Sequence, residues 1–413
     1  MGGHIEGPVS GARTGEGERP ALVTASTALR FVVLLGVVSL LADVTYEGAR
    51  SITGPYLEVL GATGTLVGFV AGFGELVGYG LRLVSGYLSD RTGKYWLITI
   101  VGYAMNLLAV PALALAGQWQ WAALLMIIER MGRAIRVPAR DAMLSHATTA
   151  MGRGRGFGLH EAMDQTGAVL GPLVMAAVLY FRGTYQTGFA VLLVPAVLAL
   201  AVLVVARMLY PDPRLLELPS ASPPPPAAAG FPRVFWVYLA GVALVAAGYA
   251  DFPLIAYHFE KTSVVPPDQI ALYYAVAMGV DALAALAFGH WFDRRGLVVL
   301  AGATVLSALF APLVFFGGAV PALVGMALWG AGMGAQESIM RAAVGSMVAA
   351  DRRGSAYGVF NTGYGLFWFA GSTLLGVLYD TSLPALVAFS VLVQLAAIPV
   401  FALVARQRWS MQG

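Results

Sequence analysis

Acidic and basic side chains stand inside long apolar runs of this sequence, where a charge has no water to hold it. Asp43 and Glu47 are four residues apart, with Arg50 a turn beyond, so at helical spacing the two acids share a face. Glu75 follows alone. Glu129 opens a denser stretch, Glu129-Arg130-Met-Gly-Arg133-Ala-Ile-Arg136-Val-Pro138-Ala-Arg140-Asp141. Its four arginines fall within an arc of about 120° on a helix, so they form one face. Glu161, Asp164, Asp251, Asp281 and the pair Glu337 and Arg341 complete the set. A buried carboxylate takes up or releases a proton as its surroundings change, and an arginine neutralises a carboxylate or holds an anion. The chemistry open to these residues is proton carriage and the binding of a charged solute. Each of them, taken singly, also suits a structural ion pair between helices.

Other chemistry has no residues to perform it. The chain contains no cysteine, which excludes disulfides, thiolate metal sites and cysteine nucleophiles. Its five histidines, His4, His146, His160, His258 and His290, are scattered and suggest no metal cluster. There is no phosphate loop of the G-x-x-x-x-G-K type and no soluble stretch long enough to bind ATP. Neither an enzyme, nor a bound cofactor, nor a nucleic-acid partner is expected.

The elements that must position these charges are membrane helices. Of the 413 residues 58% are hydrophobic and only 11% charged, against roughly 25% charged in soluble domains. So few polar residues cannot cover a water-facing surface, whereas a lipid-facing one needs none. A span takes roughly 20 mostly apolar residues. Such runs begin near Leu29, Thr63, Trp96, Trp121, Gly156 and Gln186, and again near Val234, Asp268, Val298, Val320, Ala356 and Pro384. The fold class is therefore all-α, with twelve transmembrane helices in two six-helix halves. Residues 1–27 read as a disordered tail, and the run after them as a first helix rather than a signal peptide. The halves are 28–208 and 233–405, and 406–413 is a second tail. Between the halves, 209–232 holds eight prolines and reads as an extended linker.

Basic residues give the orientation. They cluster in the first tail, in the linker, after helices two, four, eight and ten, and at the C-terminus; the opposite side has Arg182, Lys261 and Arg50. Both termini and the linker are thus expected in the cytoplasm, in a plasma (inner) membrane, and an even helix count agrees.

The halves repeat in sequence. Gly86-Tyr-Leu-Ser-Asp90-Arg91-Thr-Gly93 matches Gly289-His-Trp-Phe-Asp293-Arg294-Arg-Gly296 at an offset of 203. Phe157-Gly158 matches Tyr357-Gly358, and Gly171 matches Gly371, both at 200.

This architecture, with Gly86 to Lys94 as its most specific piece, resembles the major facilitator superfamily over about Leu29 to Ala405. The resemblance implies parallel halves around a midplane site. It implies a latch in the loop of Gly86, Asp90, Arg91, Gly93 and Lys94, made when the molecule opens outward, with Asp293 and Arg294 as the repeat. Tyr95 stands where the family has a second basic residue. Gly158, Gly167 and Gly171-Pro172 are similar to the helix-five motif of the family's antiporters, although Met175-Ala176 replaces its final glycine pair. Arg130 matches the family's helix-four arginine, with Arg133 and Ala134 departing from the pattern.

The expected function is proton-coupled efflux of a small molecule by a monomer in the lipid bilayer. The alternative is import or facilitated passage of an organic anion held by Arg130 and Arg133. Proton coupling or substrate binding is assigned to Asp43, Glu47, Glu75, Glu129, Arg130, Arg133 and Asp164, with Asn361 and Tyr364 on helix eleven. Arg136 and Arg140 are expected to snorkel to the membrane edge. Asp90→Asn should impair transport in vesicles while leaving membrane insertion intact; turnover equal to wild type would remove the latch assignment.

Overall fold

The computed structural model describes residues 2, 25–148, 153–181, 183–216, 230–348 and 353–412. Most of the expected tail, the linker's prolines from Pro219 to Pro226, and Arg182 lie outside the described residues. Twelve spans run back and forth. The first half comprises α1 (Ala25–Val59), α2 (Gly64–Thr92), α3 (Tyr95–Leu115), α4 (Trp119–Thr148), α5 (Arg153–Tyr180) and α6 (Tyr185–Leu209). The second comprises α7 (Arg233–Thr262), α8 (Pro267–Arg295), α9 (Val298–Phe316), α10 (Ala319–Ala335, continuing to Met347), α11 (Arg353–Thr381) and α12 (Leu383–Gln412). The ends of α1 and α12 thus reach beyond the sequence-derived boundaries at 28 and 405. Nine of these stretches are long and apolar enough to cross a membrane, among the described residues. The others are α4, which carries Glu129 and its arginines, α11, and α10, which a π-helical turn at Gln336–Met340 divides.

The sequence repeat places a glycine of positive φ at the end of a helix in each half. Gly93 ends α2 and Gly296 ends α8, each at φ 62°. A positive φ is open to glycine without steric cost, and beyond it the two turns differ, with ψ 9° at Gly93 and −145° at Gly296.

Small residues set the helix separations. A Cβ at Gly171 of α5 would lie 2.6 Å from both the Gly48 nitrogen and the Val44 carbonyl oxygen of α1. Gly371 stands equally close to the Ala247 backbone, joining α11 to α7 as α5 joins α1. With lipid no less apolar than a side chain, such close backbone packing is what associates membrane helices. Gly167 meets α1 in the same way, at the Leu40 carbonyl, whereas Gly158 has open space around it. The Gly158 to Gly171 motif is thus tight at two of its three glycines only.

Span α7 is broken, and the break is satisfied from neighbours. The helix stops at Gly248 and restarts at Phe252, with Asp251 as the new N-cap and Pro253 in the first turn. Ser390 Oγ and Gln394 Nε2 of α12 donate to the freed Gly248 carbonyl at 2.7 and 3.2 Å. Trp329 Nε1 donates to the Ala250 carbonyl at 2.9 Å. Irregular backbone at membrane depth survives only with such partners, and here it delivers the Asp251 carboxylate to the interface between the halves.

The end of the molecule at which α1 finishes is sealed by contacts between the halves. Asp380 of α11 caps α2, accepting from Gly64 N at 3.0 Å, Thr65 N at 2.7 Å and Thr65 Oγ1 at 2.7 Å. The capping carboxylate also meets the positive end of the helix dipole. Tyr257 OH donates to the Ala62 carbonyl at 3.1 Å, and Tyr185 OH to Glu260 Oε2 at 2.8 Å. Gly171→Leu should cost folding as well as movement, because its side chain meets backbone: overpacking of this kind costs at least about 1–3 kcal/mol. Gly158→Leu should melt near wild type. Thermal unfolding in detergent checks both, and equal melting of the two variants would contradict the asymmetry.

Candidate functional site

The charges of the spans form one connected chain across four helices. Arg50 of α1 lies 2.8 Å from Asp251 of α7 and 3.9 Å from Glu75 of α2. Glu75 is 3.2 Å from Arg130 of α4, and Arg130 3.6 Å from Glu129. Asn106 of α3 donates to Glu129, and Trp368 Nε1 of α11 donates to Asp251 at 3.3 Å. Acid and base alternate, which is what makes so many charges tolerable at that depth.

Next to this chain, Glu47 joins the halves a second time. Tyr274 OH of α8 donates to Glu47 Oε2 at 2.6 Å, and Arg133 approaches its other oxygen at 3.8 Å. Arg133 also stacks over the Tyr46 ring at 4.2 Å. One turn away, Asp43 is 3.9 Å from Arg136. Glu47 and Asp43 both border a cavity of about 1020 Å³ that runs from mid-molecule toward the end where α1 starts. Its outer walls include Arg140, Phe157 and Gly158 on one side and Leu283 and Leu286 on the other. A recess of about 100 Å³, sharing Glu47, Arg82, Arg133, Glu337 and Arg341 with it, continues under Tyr79, Asn361 and Tyr364.

The structure therefore brings Asp43, Glu47, Arg133 and Asp164 to the cavity, and Glu75, Asn361 and Tyr364 to the recess. Asp164 Oδ1 is buried with no hydrogen-bond partner, and Tyr364 OH donates to Gln336 Oε1 at 2.9 Å. Two sequence expectations need correction. Arg130 and Arg133 both lie over the Tyr46 ring but do not line one cavity: Arg130 reaches Glu75 and borders a separate pocket of about 30 Å³ with Glu129, whereas Arg133 borders the wide cavity and the recess. Arg136 does not snorkel. It is 1% exposed, packed over the Tyr103 ring at 4.3 Å, and Arg140 turns inward to Asp141 and Ser39.

The loop residues sit apart from this site. Asp90 lies in the last turn of α2, exposed and without an ion pair among the described residues. Arg91 donates to Tyr87 OH at 3.0 Å; Lys94 and the repeat residues Asp293 and Arg294 are exposed. Gly86 is in ordinary contact with Pro138, and Pro172 stands inside an unbroken α5.

Sequence reasoning missed the Arg50–Asp251 pair, Tyr274 and Arg82. The Asp251-Phe-Pro253 spacing, an N-cap two residues before a proline, was the available signal for the first. Nothing in the sequence marks Arg82, alone in its apolar run, and Tyr274 is one of many span aromatics with nothing to set it apart.

Residues 22–372 match the family model of the Major Facilitator Superfamily. A protein of Mycobacterium tuberculosis (strain ATCC 25618 / H37Rv) with no assigned function is 44% identical over 384 residues, covering 92% of this chain and 93% of that one. Multidrug resistance protein MdtH of Photorhabdus laumondii is 26% identical over 345 residues, covering 79% and 80%. The crystal structure of a point mutant of the nucleoside transporter NupG superposes with a TM-score of 0.72 at 12% identity, over 90% of this chain and 100% of that one, which shows a shared fold.

Removing one member of a buried pair strands the other, at a cost of about 3–5 kcal/mol. Asp251→Asn and Arg50→Gln should each lower the melting temperature in detergent, and the double variant should lose less than the sum. Strictly additive losses would show that the pair carries no coupling.

Proposed function

The chain belongs to the Major Facilitator Superfamily, and from that premise we propose that it is a secondary active transporter exporting small organic compounds in exchange for protons. The observation that carries this reading is Glu47. It is a carboxylate 6% exposed on the wall of the cavity, held by Arg133 from its own half and by Tyr274 from the other. A group bonded to both halves changes its surroundings whenever the halves move. The export direction draws support from the similarity to a multidrug resistance protein.

The cycle follows from the geometry. The wide cavity opens at the end where α1 starts, which the distribution of basic residues puts in the cytoplasm of a cell whose inner membrane holds the chain. Asp90, exposed and without an ion pair among the described residues, agrees with an inward opening if its loop is the latch. Substrate enters and occupies the cavity. Rocking of the halves then parts the seam between α2 and α11 and pulls Tyr274 off Glu47. A carboxylate that loses a donor in a dry site takes up a proton when it meets the more acidic outside. Protonated Glu47 releases Arg133 from its pair. On return, the less acidic cytoplasm removes the proton and the Tyr274 contact re-forms. Substrate and proton thus alternate, and one copy of the chain contains every part needed. Asp43, paired with Arg136, is the second carboxylate on the same face and supports Glu47 rather than replacing it.

A thermal-shift screen of the purified protein at two pH values supplies a substrate. Proteoliposomes loaded with a pH-sensitive dye then report proton movement on substrate addition. Glu47→Gln should abolish substrate-driven proton flux and gradient-driven uptake while leaving downhill exchange measurable, and Asp43→Asn should have the smaller effect. Full response to the gradient in both variants excludes α1 as the coupling helix, and a wild type that ignores the gradient excludes proton coupling.

A further inference from the structure

The acids and arginines of the spans are mostly matched in pairs, and the exceptions are informative. Arg50, Arg130, Arg133 and Arg136 each have a carboxylate within 4 Å. Arg82 of α2 has none among the described residues; its side chain leans over the Tyr79 ring at 5.0 Å, and its Nε is buried without a hydrogen-bond partner. Arg341 of α10, from the other half, also has no carboxylate within ion-pair distance among the described residues, and it is exposed to the cavity. Both line the recess of about 100 Å³, and Arg133 completes its basic wall at a loose 3.8 Å from Glu47. By contrast the Arg50–Asp251 pair closes to 2.8 Å.

We infer that the recess between Arg82, Arg133 and Arg341 seats the anionic headgroup of the substrate, a carboxylate or a phosphate. Guanidinium groups bind such oxygens in bidentate fashion, and a desolvated one without a partner gains most from doing so. Recess volume agrees: ligand pockets run to roughly 300–1,000 Å³, so about 100 Å³ takes a headgroup and leaves the body of the molecule in the wide cavity. That body would meet aromatic rings, since Phe157, Tyr274 and Trp329 line the wide cavity. The unpartnered acids Asp164 and Asp281 border the wide cavity and not the recess, and of the acids that line the recess Glu47 is already engaged by Tyr274 and Arg133 and Glu75 by Arg130. Glu337 does line the recess, one turn before Arg341, and as a neighbouring negative charge it weakens the hold on an anion.

Headgroup binding across both halves also gives a substrate leverage on their movement, because Arg82 and Arg341 lie on opposite sides of the boundary. The inference rests on the cavity being the transport site, yet it is tested without any gradient. Binding of benzoate, phenyl phosphate and benzylamine to the full chain in detergent is measured by calorimetry at one pH. At least one of the two anions should bind, and which one identifies the headgroup, while benzylamine should not. Arg82→Gln and Arg341→Gln should each weaken the anion at least tenfold, Arg82→Lys less than Arg82→Gln, and Glu337→Gln should tighten it. Melting curves report folding, and if Arg82→Gln unfolds, the exposed Arg341 carries the comparison. The inference is overturned if neither anion binds, if benzylamine binds more tightly than both, or if the folded glutamine variants keep wild-type affinity. Lost proton coupling with intact anion binding would count against the antiport cycle alone; coupled export with no anion binding would count against the headgroup site alone.

Discussion

A charge inside a bilayer must be neutralised by something within reach, and the arrangement of this molecule follows from meeting that condition. Arg50 and Asp251 meet it together, at 2.8 Å, across the boundary between the two halves. Asp251 is 1% exposed and also accepts from the Phe252 backbone and from Trp368. Neither residue is tolerable there alone. The pair exists only because α7 breaks at Gly248 and restarts with Asp251 as its cap. That break in turn depends on Ser390, Gln394 and Trp329 satisfying the released carbonyls. Each further charge is carried by the next: Arg50 supports Glu75, Glu75 supports Arg130, and Arg130 supports Glu129.

Close helix packing gives this chain its short distances. The glycines at 48, 171 and 371 let backbones touch, and the same α5-to-α1 contact recurs as α11 to α7. Glycine packing is tight within the halves and also between them, at Gly68 of α2 against Ser372 and Gly376 of α11 and at Gly54 of α1 against Pro253 of α7, and hydrogen bonds and ion pairs add further links between the halves. Those at Arg50–Asp251, Tyr274–Glu47 and Thr65–Asp380 can exchange with water or with other partners as the halves part. Exchangeable polar links at the boundary suit the proposed rocking cycle, and Glu47, the carboxylate that changes surroundings, stands at that boundary.

Much of this was legible in the sequence, and the reasons divide cleanly. Apolar runs of span length gave the helices, because bilayer thickness sets a length that composition reveals. The helix ends at Gly93 and Gly296 were legible from the repeat because a positive φ favours glycine, although the two turns differ in ψ. Acids on one face of α1 were legible from four-residue spacing. Pairings between halves were not. Arg50 and Asp251 are 201 residues apart, and no local pattern links them. Asp380 capping α2 is likewise a contact between distant segments. Arg136 illustrates the converse failure. Its place near the end of a charged stretch suggested an exit to the membrane edge, but Tyr103 and Asp43 offered it a closer home. Arg82 carried no motif at all, and only the recess around it gives it meaning.

The central claim is that the seam between α2 and α11 must open for transport. The absence of native cysteines makes this directly testable. Thr65→Cys and Asp380→Cys would place thiols at a contact whose native side-chain atoms are 2.7 Å apart, to be bridged by a short bifunctional thiol reagent with a reducible link. Exchange of substrate in proteoliposomes should stop on bridging and return on reduction, while either single variant treated alike keeps its activity. Undiminished exchange by the bridged protein would contradict the account.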